Sequence, residues 1–135
     1  MIGGWIDELM THIAEQQAFA DYHFLRADSG ENIPFPLRKP LVSFGEEEQD
    51  QLGYLLGCED CLFGGSRMTV RVMTDEQTGG AFCEGCAEQI CKAVLQADLT
   101  GQIVSVCVEK CMYDKTAFAY KVIMRFTLRE QAKTL

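Results

Sequence analysis

The chain has little of what nucleic-acid-binding and membrane-spanning proteins need. Lys and Arg number 12 against 20 Asp and Glu, which gives a formal net charge of −8. So few basic residues argue against a surface that grips nucleic-acid phosphates or an anionic membrane. An acidic wall would still let DNA slide past without specific binding. Because no run of about 18 apolar residues occurs, the sequence predicts no transmembrane helix.

Histidine is also scarce, with two residues, and no catalytic sequence motif is present. There is no glycine-rich phosphate loop, no HExxH and no Gly-x-Ser-x-Gly. We therefore expect a protein that is not an enzyme. The alternative left open is a small enzyme or ligand-binding α/β domain whose site the sequence does not reveal. A deep apolar pocket with converging polar groups would favour that alternative.

The N-terminal segment Met1–Gln17 lacks the basic start and apolar centre of a secretory signal peptide. We therefore expect a cytosolic protein with reduced thiols. Seven cysteines, an odd number, also fit poorly with a closed disulfide framework. A length of 135 residues and an apolar content of 47% predict a single domain over residues 1–135.

The hydrophobic period in the second half of the chain switches from two to about 3.6 and back to two. Residues 67–74 alternate as a half-buried strand, and a helix follows over Ala81–Gln96. One apolar stripe defines this helix: Cys83, Cys86, Ala87, Ile90, Cys91 and Val94. Two further alternating runs, centred on Val106 and on residues 118–128, predict an antiparallel pair with its turn at Asp114 and Lys115.

The first half contains an amphipathic helix from Ile2 to near Phe19 and two short strands, Tyr22–Arg26 and Leu41–Phe44. The acidic run Glu46–Asp50 is interpreted as a solvated loop, and Gln51–Gly65 as a strand or a packed loop. The predicted fold class is α/β (α+β). It is a single compact domain with a twisted, mostly antiparallel sheet, an N-terminal helix, and a second helix in a β-α-β-β unit.

Four of the cysteines form two closely spaced pairs, Cys58 with Cys61 and Cys83 with Cys86. Four thiolates at such spacing can hold zinc tetrahedrally. Cys83 and Cys86, however, share the apolar stripe of the predicted helix, where a free thiol packs as a small hydrophobe. The favoured interpretation is packed thiols and no cofactor. A zinc-binding module and a redox disulfide remain as alternatives.

Candidate subunit contacts come from one aromatic residue and two sets of charges. Trp5 either anchors the first helix to the sheet or reaches a neighbouring subunit. Lys121 and Arg125 lie on the outward face of the last strand. Facing the acidic residues Glu46, Glu47 and Glu48 of another copy, they would form a head-to-tail contact of the kind that closes rings.

The order of these features resembles the tail terminator, or tail completion, proteins of long-tailed phages and prophages of Gram-positive bacteria. The likeness lies in Lys39–Gly45, the strand–helix unit Arg67–Leu95, and the turn Tyr113–Tyr120 into the last strand. It covers nearly the whole chain, and it rests on architecture and not on a catalytic motif. The segment Glu46–Gly65 matches least, and the paired cysteines are not typical of the family.

The resemblance implies a virion structural protein that forms a hexameric ring on the head-proximal end of a tail tube. Such a ring stops tube polymerisation and contacts the head-to-tail connector and, in contractile tails, the last sheath ring. Contractile phage-tail-like bacteriocins use a similar cap. The implied partners are further copies of the chain, a tail tube protein, and a sheath protein and connector, with DNA passing through. The implied location is the virion tail or tail-like particle, after assembly in the bacterial cytoplasm.

Overall fold

The structure is a computed structural model that describes residues 2–27, 37–48, 53–55, 58–63, 66–97, 103–128 and 133–134. Side chains are described for residues 4–27, 37–46, 67–97 and 103–128. The two α-helices are α1, Ile2–Ala14, and α2, Gly80–Ala97. The strands of the described part are β1 His23–Arg26, β2 Leu41–Glu48, β3 Gly53–Leu55, β4 Cys58–Phe63, β5 Ser66–Asp75, β6 Ile103–Val108, β7 Met112–Asp114, β8 Ala119–Leu128 and β9 Lys133–Thr134.

Six strands form the main sheet, in the order β1-β2-β5-β8-β6, with β7 also pairing with β8. The pair β1–β2 is parallel, and the other pairs are antiparallel. The predicted α+β class and the mostly antiparallel sheet are thereby confirmed. A smaller sheet has the order β3-β4-β9, so Gln51–Gly65 contributes strands, one of the two interpretations of that segment.

Both helices pack on one face of the main sheet. Alternation along β2, β5 and β8 sends every second side chain into this layer, and the buried residues include Phe44, Val72 and Phe126. From α1 come Ile6, Leu9 and Ile13, and from α2 come Cys83, Ile90 and Val94. Burying one such side chain contributes about 1.5–3 kcal/mol. The side chains of this layer therefore contribute strongly to the stability of the fold.

On the opposite face of the main sheet, a buried cluster of described residues lies at one end. There Leu25, Leu41, Met73 and Ala119 form a second small cluster with Leu37. Towards the other end the same face carries Ser43, Thr69, Arg71, Lys121 and Arg125, all half-buried or exposed. We call these five residues the open face, and they include both basic residues predicted to contact another copy.

Helix α1 and strand β2 depart from the predicted boundaries. The helix ends at Ala14 and not near Phe19, because Gln16 is extended (φ −72°, ψ 136°) and a 3₁₀ turn at Gln17–Phe19 follows. This change of direction lets the Phe19 ring enter the core. The loop predicted from Glu46 was also wrong for Glu46–Glu48. These residues extend β2 because each pairs with a residue of β5, and pairing overrides their weak strand propensity.

The hairpin at the end of the chain is antiparallel as predicted, and β6 pairs with β8. Part of its predicted connection, however, is strand β7, whose Asp114 pairs with Ala119 across the turn. Strand β8 begins at Ala119, because Phe118 takes a left-handed backbone conformation with φ 50°. The predicted end of the second helix at Asp98–Gly101 lies outside the described residues.

Candidate assembly surface

The thiols of α2 point into the core of the molecule. Cys83 is fully buried and Cys86 is 5% exposed, on the helix face that the apolar stripe predicts. The Cys83 thiol donates a hydrogen bond to the Val72 carbonyl oxygen, with 3.5 Å between the heavy atoms. Burial raises the pKa of Cys83 to about 12. A thiol held neutral in this way packs as a small apolar group at neutral pH.

Cys58 and Cys61 lie in β4, and their side chains are outside those that the structure describes. Within the described part, no group of three or more His, Cys, Asp and Glu side chains is placed to hold a metal ion. The four-thiol zinc site therefore stays a prediction.

Lys121 and Arg125 both have partners in their own chain. The Lys121 ammonium nitrogen lies 3.4 Å from Asp114 Oδ2, and the Arg125 guanidinium pairs with Glu109. Both basic side chains remain about a quarter to a third exposed, at 26% and 34%. The pairs orient the two side chains on the open face, and a second copy would meet basic groups that are already partly neutralised.

The other residues predicted for a subunit contact lie on the helix-bearing side or beyond the described side chains. Glu46 is exposed and lies two residues after the buried Phe44 in β2, on the same face of the strand. The side chains of Glu47 and Glu48 are outside those described. Trp5 is half-buried and packs against the main core, which is the anchoring arrangement foreseen for it; a contact with a neighbouring subunit remains a prediction.

A set of exposed apolar side chains is the feature that the sequence pattern did not predict. Among the side chains that the structure describes, eight large hydrophobic ones are at least 36% exposed, and these lie in the stretch from α2 to the turn before β8. They are Phe82, Leu95, Val104, Val106, Val108, Met112, Tyr113 and Phe118. We call this set the apolar margin. The alternating valines predicted strand β6 correctly, but alternation does not show that the layer of helices stops short of this edge.

A groove of about 520 Å³ runs between α2 and the end of β6. Its apolar lining includes Ala87, Cys91 and Val108, with Val122 and Met124 of β8 beside them. Glu84, Glu88 and Lys110 supply charged groups to the same lining. The groove thus joins the apolar margin to a charged rim, a composition suited to protein contact.

The turn before β8 is held in a defined shape. The Glu76 N–H donates to the carbonyl oxygen of Phe118 at 3.2 Å, and the Tyr113 hydroxyl donates to Glu76 Oε2 at 2.5 Å. That hydrogen bond raises the pKa of Tyr113. The rings of Tyr113 and Tyr120 pack edge to face with centroids 5.3 Å apart. These contacts fix two members of the apolar margin, although both remain exposed.

Among the described residues, no helix combines the length and the apolar character that crossing a membrane requires. The chain matches no known protein-family model and none of the curated proteins. Its function is therefore argued from the surface described above and from the resemblance of its sequence pattern.

Proposed function

We propose that the protein is a structural assembly protein, without enzymatic activity, that caps the head-proximal end of a phage or phage-like tail tube as a hexameric ring. The observation that carries the proposal is the apolar margin. Exposed apolar patches on a folded chain mark surfaces that a partner covers, and the eight large exposed side chains of the described part lie in α2, β6, β7 and the turn before β8. The partners would be further copies of the chain and the tail tube protein, with the connector and a sheath protein as additional ones.

The resemblance of the sequence pattern supports the same function. It implies a compact α/β domain with a twisted sheet and helices packed on it, and the chain has two helices on a mostly antiparallel sheet. A fold does not by itself imply a function, so the agreement adds less weight than the surface does. The net charge of −8 is compatible with a ring through which DNA passes without being held.

The test is the mass of the protein by light scattering, alone and with assembled tail tubes, combined with electron microscopy of the tube ends. In the presence of tail tubes we expect rings of about six chains at the tube ends, and shorter tubes when the protein is present during growth. A monomer that neither binds tube ends nor limits tube length would contradict the proposal.

Charge-reversal variants test the proposed head-to-tail contact separately. Reversing Lys121 and Arg125 to Glu should dissociate the ring, because like charges would then meet across the contact. Reversing Arg38 and Lys92, which are exposed, changes the net charge equally and should leave the ring intact. Asp114→Asn with Glu109→Gln removes the in-chain partners but keeps both basic groups, and should also leave it intact. A ring that survives reversal of Lys121 and Arg125 rules out their contact.

A further inference from the structure

Within the described part of the chain, the outer edge of β6 pairs with no other strand. Among the described strands, β6 ends the order of the main sheet and pairs with β8 on one side only. Five of its six residues are exposed, and its three valines, Val104, Val106 and Val108, are 46%, 36% and 52% exposed. The three valines are the members of the apolar margin that lie in β6.

The hydrogen bonds of β6 show which of its backbone groups face outward. The Glu109 N–H donates to the Ile123 carbonyl oxygen at 2.9 Å, and Cys107 stands opposite Arg125 in the same ladder. In an antiparallel ladder, alternate residues direct their N–H and C=O groups to opposite sides. Because Glu109 and Cys107 bond towards β8, Val106 and Val108 direct theirs away from the sheet. The same two residues therefore offer free backbone groups and exposed apolar side chains.

Natural sheet edges are protected by charges, prolines, bulges or a covering segment. The segment Ile103–Val108 contains no charge and no proline. The irregularity of pairing between Ile103 and Ser105 ends the regular ladder at Val104. Beyond it, Val106, Cys107 and Val108 form a regular, unprotected template for another strand.

We infer that this edge pairs with β6 of a second copy, antiparallel and centred on Cys107. The run Val106-Cys107-Val108 reads the same in both directions, so each Val106 would face Val108 of the other copy and each Cys107 would face Cys107. Ser105 would face Glu109 of the other copy, and no like charges meet. Two chains of net charge −8 repel one another over most of their surface, and an uncharged edge minimises that repulsion.

The groove beside β6 supports a partner on this side. Val108 lines the groove, and the paired strand would place Val106 of the second copy next to it. The valines of both copies would then be shielded from water between the two α2 helices. Cross-strand contacts between branched apolar side chains and the added main-chain hydrogen bonds are the interactions that join strands in this binding mode.

This contact is isologous, since the same residues serve on both copies, and it differs from the heterologous contact of a cyclic ring. Its test therefore needs no tail tubes, and its failure would leave the proposed function standing. We expect light scattering of the full chain to show a concentration-dependent dimer, twice the chain mass of 15.1 kDa. Val106→Lys and Val108→Lys should each shift it to the monomer with an unchanged circular dichroism spectrum. Leu95→Lys, at an equally exposed site on α2, should keep the dimer.

Cys107 reports the register directly. Diamide oxidises two thiols to a disulfide and accepts the two electrons and two protons, so facing Cys107 residues should link rapidly. Trypsin cleaves after Lys92 and Lys110, and the fragment 93–110 contains Cys107 as its one cysteine. We expect a disulfide-linked dimer of this fragment, lost in Cys107→Ser. In Val106→Lys trypsin also cleaves after residue 106, so there we expect the absence of a disulfide-linked dimer of fragment 107–110.

The control is Thr116→Cys, which introduces a thiol at an exposed turn position. The rate at which this thiol links two chains gives the rate of linkage by random collision. A chain that stays monomeric at all concentrations, or a dimer that survives Val106→Lys, would overturn the pairing. So would a Cys107 link that forms no faster than the link through the thiol introduced by Thr116→Cys, or a hexamer without the Cys107 link.

Discussion

Asp114 closes the turn between β7 and β8. Its Oδ1 accepts hydrogen bonds from the backbone N–H groups of Thr116 and Ala117, at 2.9 and 3.2 Å. Its Oδ2 pairs with Lys121. The sequence predicted Asp114 only at the tip of a hairpin. In the structure Asp114 is also the in-chain partner of Lys121, a residue of the proposed head-to-tail contact.

These hydrogen bonds make the stability of the turn depend on pH. The backbone N–H of Ala117 first, and then the backbone N–H of Thr116 and the ammonium group of Lys121, hold the pKa of Asp114 below its ordinary value. A lowered folded-state pKa contributes stability that is present above the unfolded pKa and is lost as pH falls through the folded one. We expect the free energy of unfolding to fall as the pH drops below about 4.

Asp114→Asn should remove part of that fall, because the amide does not titrate. The measurement is urea unfolding at a series of pH values from neutral to acid for both proteins. Equal slopes against pH for the native chain and Asp114→Asn would show that Asp114 does not contribute to the acid sensitivity.

At the scale of elements, the parallel edge strand β1 depends on a small residue in β2. A Cβ added to Gly45 would lie 3.0 Å from the Cβ of Ala27, and the Ala27 N–H donates to the Phe44 carbonyl oxygen at 2.8 Å. Gly45→Val should therefore push the end of β1 away and destabilise the fold by about 1–3 kcal/mol. Gly45→Val combined with Ala27→Gly should recover much of the loss, because the clashing methyl group is gone. Chemical denaturation of the four proteins measures the coupling. Additive effects of the two substitutions would exclude the clash as the cause.

The elements that the sequence predicted well are those whose hydrophobic period was long and unbroken. Helix α2 and the strands β5 and β8 present their buried faces as the pattern requires, with Ile90, Val72 and Met124 in the core. Local period was enough because these elements lie in the middle of the sheet or directly over it.

The local hydrophobic period was not enough to predict the structure at the edges of the sheet. Glu46–Glu48 form strand because they pair with β5, a contact between distant residues that no local pattern shows. The valines of β6 predicted a strand but not its exposure, which depends on how far α2 extends over the sheet. For the same reason the sequence indicated the charges of the open face and missed the apolar margin.

At the scale of the whole molecule, the two sides of the main sheet carry different exposed charges among the described residues. The open face carries Arg71, Lys121 and Arg125, whereas the exposed positions of the helix layer include Glu8, Glu15 and Glu84. The apolar margin lies at the edge between these two sides. A head-to-tail contact can therefore use opposite charges on the two sides while strand pairing uses the edge, and the two proposed contacts do not compete for residues.

The packing of the thiols leads to an expectation about metal. If Cys83 and Cys86 serve as core residues, the purified chain should contain far less than one zinc per molecule, and a chelator should leave its thermal midpoint unchanged. Cys83→Ser should still destabilise the fold by about 1–3 kcal/mol, because it places a more strongly polar group in the core. Elemental analysis and thermal unfolding with and without chelator make the measurement.

A structural zinc would behave differently, since the binding free energy of such sites is part of the folding free energy. About one zinc per chain, lost together with the fold on chelation and absent from Cys58→Ser as well as from Cys83→Ser, would establish the four-thiol site and replace the packing interpretation.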